Sequence, residues 1–304
     1  MNCAVVPNAW RLSQLKELCA SDVTSWNRKL VRTRLIADHR RKLLFCTISK
    51  SGCTQTKGLM EYANTNNTKY LTNPNSVHSK EAYRRAKLEF VSRYSKKFDA
   101  YQKFLVVRNP FDRAVSAYKN LLVGRKNLGP EKFVYQELQR LFPNSSTNPV
   151  LMNNFSFAQF VSAISNSSLS RHRYFNDRHF LPMFQSCDPC RINYDYLLKL
   201  ETFDRDVIQI LALLDLSEDT LEHFPALNRA RHKKSVRGYF KDQQDSWRQF
   251  PASKSVHKFQ DLPKHLLKSF MRRYRTDFEL FGFNFSVGSQ VGHSFCKFEK
   301  ENCC

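Results

Sequence analysis

Two stretches of sequence, KLLFCTISKSGCT at residues 42–54 and FLVVRNPFDRAVSAY at residues 104–118, share one pattern that decides the fold. Each opens with a short apolar run, which is typical of a strand buried on both faces of a sheet. Small, polar or proline residues follow and predict a turn, after which helical periodicity resumes at Thr54 and at Phe111. Repeated strand–loop–helix units predict an α/β fold with a central, mainly parallel sheet flanked by helices.

Further segments complete the predicted α/β pattern. The spacing of apolar side chains predicts helices in the segments 11–40, 80–97, 157–164, 204–216 and 263–274. A strand is predicted over residues 196–200. The chain of 304 residues has no internal repeat and no clear linker, so we expect a single domain.

The loop after the first apolar run, at residues 49–54, has the features of a phosphate site. Backbone N–H groups of such a loop converge with the N-terminus of the following helix on a bound anion. Gly52 would let the backbone approach the ligand, Thr54 could donate its hydroxyl, and Lys50 could neutralise charge on a leaving group. The alternative is a polar turn with an exposed lysine, and the G-x-x-x-x-G-K-[ST] spacing of a Walker A loop is absent.

The second unit offers two further ligands for an anion. Arg108 leaves the end of a predicted strand, and Ser116 lies about two helical turns further on. Both side chains can therefore meet one phosphate at the carboxyl edge of the sheet. The alternatives are a salt bridge at the sheet edge for Arg108 and a position on the helix surface for Ser116.

Charge and cysteine content bound the possible partners. Lys and Arg number 49 against 27 Asp and Glu, a formal net charge of +22, so an anionic partner is expected. Nucleic acid, an acidic polysaccharide and an anionic nucleotide satisfy this charge equally well. Nine cysteines fit either buried thiols or disulfides. N-glycosylation sequons favour an oxidising compartment and begin at Asn66, Asn144, Asn154, Asn166 and Asn284.

The two units resemble the HNK-1 family of Golgi carbohydrate sulfotransferases, which includes the chondroitin and dermatan 4-O-sulfotransferases. Further matching segments are, in chain order, His179-Phe180-Leu181-Pro182, Cys187-Asp188-Pro189-Cys190, Tyr194-Asp195-Tyr196, Lys199-Leu200-Glu201-Thr202 and Tyr274 to Phe283. The resemblance spans residues 11–285 and implies a P-loop-like sulfotransferase fold. The chain departs from the family's usual pattern at Ser49, Asn109 and Phe180, which weakens the transfer of acceptor specificity but removes no proposed phosphate ligand.

By this resemblance the donor is 3′-phosphoadenosine 5′-phosphosulfate (PAPS), and the product is adenosine 3′,5′-bisphosphate. The implied ligands are Lys50, Ser51, Gly52, Cys53 and Thr54 for the 5′-phosphosulfate, and Arg108 and Ser116 for the 3′-phosphate. The implied acceptor is an anionic glycan or proteoglycan. We expect the 4-OH of N-acetylgalactosamine in chondroitin- or dermatan-type chains, with the 3-OH of terminal glucuronate as the alternative. No metal is expected, because Lys and Arg can supply the positive charge. With a glycan as the implied acceptor, no nucleic-acid partner is expected.

The resemblance also implies a type II membrane protein of the Golgi lumen. The sequence contains no apolar run of about 18 residues and no signal peptide. We therefore expect the membrane anchor to be absent from the sequence as given, and the alternative is that the protein is not lumenal. The expected domains are an N-terminal helical segment (1–40), a sulfotransferase catalytic domain (41–285) and a C-terminal tail (286–304). A short local disulfide between Cys187 and Cys190 is implied as well.

In-line sulfuryl transfer needs a base near the acceptor hydroxyl, and His or Glu can serve. His78 is the first candidate, His179 the second and Glu201 the third. The alternatives are exposed or structural histidines, and an ion pair with a buried cation for Glu201. Lys50 is expected to contribute to catalysis as well as to binding, whereas Cys53 is expected to be a small packing residue and not a nucleophile.

Two other functions fit part of the pattern. One is a non-catalytic protein that captures heparin-like glycan or nucleic acid through its basic surface. The other is a P-loop kinase, against which the missing Walker spacing and the lack of an obvious Mg²⁺ carboxylate argue. The dense cationic run at residues 229–237 is either a solvated basic loop or a clamp over cofactor or glycan.

Overall fold

The computed structural model describes residues 7–21, 34–69, 73–122, 138–143, 155–165, 178–218, 220 and 255–283. The cationic run at 229–237, the predicted C-terminal tail and the sequons after Asn66 lie outside these residues. The helices are, in chain order, α1 (Pro7–Ala20), α2 (Cys53–Thr65), α3 (Lys80–Arg85), α4 (Pro110–Leu122), α5 (Phe157–Ser165), α6 (Met183–Cys187), α7 (Phe203–Asp206), α8 (Ile208–Leu213), α9 (His257–Gln260) and α10 (Lys264–Leu280). The strands are β1 (Leu35–Asp38), β2 (Leu43–Cys46), β3 (Leu88–Val91), β4 (Gln102–Val107) and β5 (Tyr196–Lys199). Among the described helices, none has the length and apolar character needed to cross a membrane.

The five strands form one sheet in the order β3-β1-β2-β4-β5. β2, β4 and β5 are parallel neighbours, whereas β1 is antiparallel to both β2 and β3. Four strands therefore run in one direction and β1 runs against them, which confirms the predicted mainly parallel sheet. β1 and β2 are buried along their whole length, which agrees with their apolar residues, and the buried Asp38 at the end of β1 pairs with Arg41.

Helices cover both faces of the sheet. Because side chains alternate along a strand, Leu44 and Leu105 pack on one face together with α1, α4, α5 and α10. Phe45 and Phe104 stack on the opposite face, with ring centroids 5.1 Å apart, and pack with α2, α7 and α8. The result is a three-layer α/β fold in which the loops that follow β2 and β4 are held from both sides.

Two helix predictions are wrong in part. In the segment 11–40, helix α1 ends at Ala20 and residues 35–38 form strand β1, which belongs to the central sheet. In the segment 80–97, helix α3 ends at Arg85 and residues 88–91 form the edge strand β3. Lys87 has a φ of 51°, a left-handed conformation that interrupts the helix. In both segments the pairing of β1 with β3 outweighs local helical spacing.

The other predicted elements are confirmed with small changes of boundary. The strand predicted at residues 196–200 is β5, and the helices predicted near 157–164 and 263–274 are α5 and α10. The helix predicted over 204–216 is divided into α7 and α8.

The predicted disulfide between Cys187 and Cys190 is wrong. Cys46 pairs with Cys187 and Cys19 pairs with Cys190, with Cα–Cα distances of 5.8 and 5.2 Å. Asp188 lies between the two nearby cysteines with a φ of 45°, so the chain turns sharply after α6. Cys187 consequently faces the end of β2, whereas Cys190 faces α1.

Candidate active site

The loops after β2 and β4 lie side by side at one edge of the sheet. The two strands are parallel neighbours, with Cys46 paired to Leu105, so their carboxyl ends meet at the same edge. The first loop leads directly into α2 and the second into α4. The two predicted strand–loop–helix units are therefore present, and their loops are neighbours.

The loop after β2 is a tight turn that ends at the N-terminus of α2. The N–H of Ser51 donates to the backbone oxygen of Ile48 at 3.2 Å, and Lys50 and Gly52 have φ angles of 69° and 78°. Gly52 supplies no side-chain cap, so the first N–H groups of α2 remain available to a ligand. A Cβ at Gly52 would lie 2.8 Å from Leu200 Cδ1. Both the backbone angle and the packing therefore favour glycine.

Arg108 connects the second loop to the first. Its Nη1 donates to the backbone oxygen of Lys50 at 3.0 Å, and burial lowers the pKa of this guanidinium. The N–H of Asn109 donates to Glu201 Oε1 at 2.7 Å, and Asn109 Oδ1 accepts the N–H of Phe111 at 3.0 Å. Burial raises the pKa of Glu201. Glu201, the third candidate base, thus supports the second loop.

Arg113 is a buried cation behind the loops to which the sequence pattern assigned no role. Its Nε donates to the backbone oxygen of Ser49 at 3.0 Å, and its Nη2 donates to that of Arg178 at 3.1 Å. One side chain therefore links the first loop to the segment that carries His179. Local spacing gives no signal for this role, because the two backbone oxygens lie 64 and 65 residues away along the chain.

A cleft of about 880 Å³ opens above the two loops, a volume typical of small-molecule sites. Within the described part of the chain, no Asp or Glu lines this cleft. The cations that line it are Arg34, Lys50, Lys57, Lys80, Arg84, Arg108 and Arg178. A cleft with one sign of charge concentrates ligands of the opposite sign, so its ligand is expected to be an anion.

The cleft brings together the predicted site residues other than Ser51 and Glu201. The residues that line it are Lys50, Gly52, Cys53, Thr54, His78, Arg108, Ser116 and His179. Ser51 is 1% exposed, and its hydroxyl lies 3.8 Å from Met183 Sδ, so its side chain points away from the cleft. Cys53, the first residue of α2, has a free, partly exposed thiol. Glu201 does not line the cleft.

His78 ends the 3-10 helix Pro74–His78 and faces α2. Its Nε2 is 3.1 Å from Thr54 Oγ1, and its Nδ1 is 3.2 Å from Lys57 Nζ. Burial and then the neighbouring positive charges, Lys57 first, lower the pKa of His78 to about 4. The imidazole is therefore neutral at pH 7, which is the form that a general base requires.

His179 is 8% exposed and lies in the segment just before α6. Asp277 of α10 fixes the start of α6, a few residues after His179, because its carboxylate accepts the N–H groups of Met183 and Phe184 at 2.7 and 2.9 Å. Burial raises the pKa of Asp277 to about 6, and Arg113 opposes the shift. The sequence placed Asp277 in a matching segment without indicating this role.

Comparison with known proteins identifies the family. A family model described as "Sulfotransferase family" matches residues 33–284. The chain belongs to the sulfotransferase family. This sulfotransferase-family chain is 29% identical to carbohydrate sulfotransferase 11 of Rattus norvegicus over 219 residues, 68% of the chain and 61% of that protein. It is 27% identical to carbohydrate sulfotransferase 12 of Mus musculus over 307 residues, 90% of the chain and 68% of that protein.

A third relative is carbohydrate sulfotransferase 10 of Danio rerio, which is 29% identical over 219 residues, 67% of the chain and 60% of that protein. The chain spans about three fifths of the length of the first curated relatives it matches. No solved structure matches it. The family resemblance predicted from the motifs is confirmed, and the sheet fits the expected P-loop-like sulfotransferase fold.

Proposed function

We propose that this protein is a carbohydrate O-sulfotransferase, which moves a sulfuryl group from PAPS to a glycan hydroxyl. One observation carries the proposal: two strand–loop–helix units meet in a single cation-lined cleft, where Arg108 donates to the backbone oxygen of Lys50. Membership of the sulfotransferase family and the names of the relatives support the proposal.

The donor nucleotide is proposed to span both loops. The first-turn N–H groups of α2, the hydroxyl of Thr54 and the ammonium of Lys50 would hold its 5′-phosphosulfate. Arg108 and Ser116, which both line the cleft, would hold its 3′-phosphate. Arg108 uses one N–H on the backbone of Lys50, and the remaining guanidinium N–H groups can bind a phosphate. Ser51 supports the loop from its buried side.

The proposed reaction is an in-line sulfuryl transfer. The oxygen of the acceptor hydroxyl forms a bond to sulfur while the bond between sulfur and the bridging phosphate oxygen breaks. The electron pair of the broken bond remains on the departing nucleotide, where the ammonium of Lys50 stabilises it. The proton of the acceptor hydroxyl goes to a base, for which His78 and His179 are the candidates because both line the cleft. The products are a sulfated glycan and adenosine 3′,5′-bisphosphate.

An anionic sugar chain is the proposed acceptor. Lys80 and Arg84 of α3 add positive charge to the cleft, and Phe90 of β3 also lines it. Phe90 is 53% exposed and offers an aromatic surface on which a sugar ring can pack. We infer a chondroitin- or dermatan-type acceptor with transfer to the 4-OH of N-acetylgalactosamine, and keep the 3-OH of terminal glucuronate as the alternative.

The proposed place of action is the lumen of the Golgi. The two disulfides support an oxidising compartment. Asn66 of the first sequon is exposed at the end of α2, so it is accessible for glycosylation in the same compartment.

Transfer of labelled sulfate from PAPS tests the proposed function. The acceptors are desulfated chondroitin, desulfated dermatan and glycans that end in glucuronate, and the highest incorporation is expected with chondroitin- or dermatan-type chains. No incorporation into any acceptor, together with no binding of adenosine 3′,5′-bisphosphate, would contradict the proposal. Retention on immobilised heparin without turnover would instead indicate a non-catalytic polyanion-binding protein.

Phe90→Ala tests the acceptor side of the cleft separately. Loss of the aromatic surface is expected to raise KM for the glycan and to leave KM for PAPS unchanged. Trp10→Ala is the matched control, because Trp10 is also an exposed aromatic residue, at 37%, but does not line the cleft. Equal glycan KM values for the two variants would show that Phe90 takes no part in acceptor binding.

A further inference from the structure

Lys57 is a cation of the cleft with no role in the proposed donor site. It lies on α2 three residues after Thr54, and both side chains line the cleft. Its Nζ is 3.2 Å from His78 Nδ1 and 5.5 Å from the ring centroid of Tyr83. Burial lowers the pKa of Lys57, and in the described part of the chain no carboxylate forms an ion pair with it. A partly buried ammonium without a carboxylate neighbour favours an anionic ligand.

The donor and acceptor atoms in the contacts between Lys57, His78 and Thr54 follow from the chemistry of the three side chains. An ammonium has only donors, so Lys57 donates to Nδ1 of His78 and engages its lone pair. The neutral imidazole then carries its proton on Nε2, which donates to Thr54 Oγ1 at 3.1 Å. Both ring nitrogens of His78 are therefore engaged by α2. In this arrangement the ring has no free lone pair for the proton of a sugar hydroxyl.

The neighbouring groups that lower the pKa of His78 come from three parts of the chain. Lys57 lies on α2, Lys50 lies in the loop before it, and Arg178 and His179 lie in the segment before α6. Together with burial, which is the largest cause, they lower the pKa of His78 to about 4. An anion bound among these groups would oppose their effect and raise this pKa.

We propose that Lys57 is a ligand of the anionic donor group and that, before this anion binds, its ammonium engages the lone pair of His78 and prevents the imidazole from acting as a base. The inference rests on the proposed function, because it takes PAPS as the anion. A phosphate or sulfuryl oxygen is a stronger partner for an ammonium than a neutral imidazole. Binding of the donor therefore draws Lys57 away from Nδ1 and frees His78.

The consequence is a coupling between donor binding and base availability. With Lys57 on the anion, Nδ1 of His78 regains its lone pair, and the imidazole can accept the proton of the acceptor hydroxyl. The base becomes available when the sulfuryl group is present, so donor binding is expected to precede productive acceptor binding. Lys57 is thus a binding residue for the donor and a positioning residue for His78.

Nuclear magnetic resonance of the His78 imidazole, followed against pH in the full chain, tests the inference. In the wild type, adenosine 3′,5′-bisphosphate is expected to raise the pKa of His78 from about 4 towards the ordinary 6.5. Lys57→Met keeps most of the side-chain stem but loses the charge. It is expected to raise the pKa of His78 without nucleotide and to weaken nucleotide binding about tenfold or more.

Two further variants serve as controls. Lys57→Arg keeps a positive charge, so it is expected to keep the pKa of His78 low and to retain more of the nucleotide affinity than Lys57→Met. Lys80→Met removes another cation of the cleft that makes no hydrogen bond with His78, and it is expected to leave the pKa of His78 unchanged. Unchanged thermal unfolding of each variant shows that it folds.

A separate result would overturn each part of the inference. The same pKa of His78 in the wild type and in Lys57→Met would overturn the proposed engagement of the lone pair. The same nucleotide affinity in these two proteins would overturn the proposed role of Lys57 as a donor ligand. Absence of nucleotide binding by the wild type is a distinct result, because it overturns the proposed function, whereas the titration of His78 without nucleotide is independent of it.

Discussion

Lys50 has a backbone conformation that residues with a side chain rarely adopt. Its φ of 69° lies in the left-handed region, which costs about 1–2 kcal/mol for a residue other than glycine. In this conformation its carbonyl oxygen accepts a hydrogen bond from Arg108, and its side chain lines the cleft. Strain of this kind is typical of functional sites. Lys50 is therefore a position where side-chain function and backbone stability can be separated by mutation.

Lys50→Gly and Lys50→Ala separate the function of the Lys50 side chain from the cost of its backbone conformation. Both remove the ammonium, so both are expected to lower kcat about 100-fold or more, with a smaller change in KM for PAPS. Glycine tolerates the left-handed φ, so Lys50→Gly is expected to unfold at a higher temperature than Lys50→Ala. Steady-state kinetics and thermal unfolding measure the two effects.

Lys50→Arg is the control that retains the charge, and its kcat is expected to lie between those of the wild type and Lys50→Ala. Wild-type kcat in both Lys50→Gly and Lys50→Ala would exclude Lys50 from stabilising the departing nucleotide. If Lys50→Gly is the more stable of the two variants and its kcat is still below that of the wild type, the loss of kcat does not come from unfolding.

At the scale of elements, the strands differ in how far the sequence predicts them. β2 and β4 are central and largely buried, so their sequences are apolar runs that periodicity detects. β1 has four residues and lies among cations, and β3 is an edge strand with an exposed Phe90. Their pairing joins Leu35 to Val91, and local spacing carries no information about a partner so distant along the chain.

The residues of the candidate site also differ in how far the sequence predicts them. The residues of the two loops could be predicted because each loop lies in one continuous motif at the end of a strand. Arg113 and Asp277 could not be assigned, because each acts on the backbone of a segment distant in sequence. Cys187 pairs with Cys46 and not with Cys190, its neighbour in sequence, for the same reason. These roles depend on contacts between residues that are distant along the chain, and short sequence patterns carry no information about such contacts.

Gly52→Ala tests the turn between β2 and α2. The φ of 78° and the contact of 2.8 Å with Leu200 Cδ1 both oppose a Cβ. The substitution is expected to lower the free energy of unfolding by about 1–2 kcal/mol through the backbone angle alone. It is also expected to weaken nucleotide binding, because the N-terminus of α2 must shift. Denaturant unfolding and nucleotide titration measure the two effects.

Leu200→Ala separates the two causes. Added to Gly52→Ala, it removes the close contact but not the left-handed φ. The further loss of stability that Gly52→Ala causes in the Leu200→Ala background is expected to be smaller than its loss in the wild type. Wild-type stability and nucleotide affinity in Gly52→Ala would show that this turn does not require glycine.

At the scale of the whole molecule, two disulfides join three parts of the fold. Cys190 is linked to Cys19 of α1, and Cys187 is linked to Cys46, the last residue of β2. The bridges close sequence separations of 171 and 141 residues. Long closed loops restrict the unfolded chain, so both bridges are expected to stabilise the folded protein. The second bridge also holds the strand that leads into the loop at residues 49–54.

The double variant Cys46→Ala, Cys187→Ala is expected to lower the free energy of unfolding by about 2–5 kcal/mol. Cys53→Ser is the control, because it changes a partly exposed thiol outside any disulfide, and a much smaller effect on stability is expected. Denaturant unfolding under non-reducing conditions measures both. Equal midpoints for the double variant and the wild type would contradict the stabilising role of this bridge.

The net charge of +22 attracts many polyanions, so polyanion binding alone does not identify the donor. The central claim is more specific: two loops hold two different phosphates of one nucleotide. Arg108 has a second role on the backbone of Lys50, whereas Ser116 has none in the first loop. Ser116→Ala therefore tests the contact with the 3′-phosphate without changing the first loop. Arg108→Ala removes a charged ligand, so it is expected to weaken binding of the 3′-phosphate more.

Calorimetric titration with adenosine 3′,5′-bisphosphate and with adenosine 5′-phosphate tests this claim most directly. The wild type is predicted to bind the nucleotide with the 3′-phosphate about 10- to 100-fold more tightly, because that phosphate gains charge-assisted hydrogen bonds. Arg108→Ala and Ser116→Ala are predicted to reduce this preference. Equal affinity of the wild type for the two nucleotides, or a full preference retained in both variants, would contradict the account.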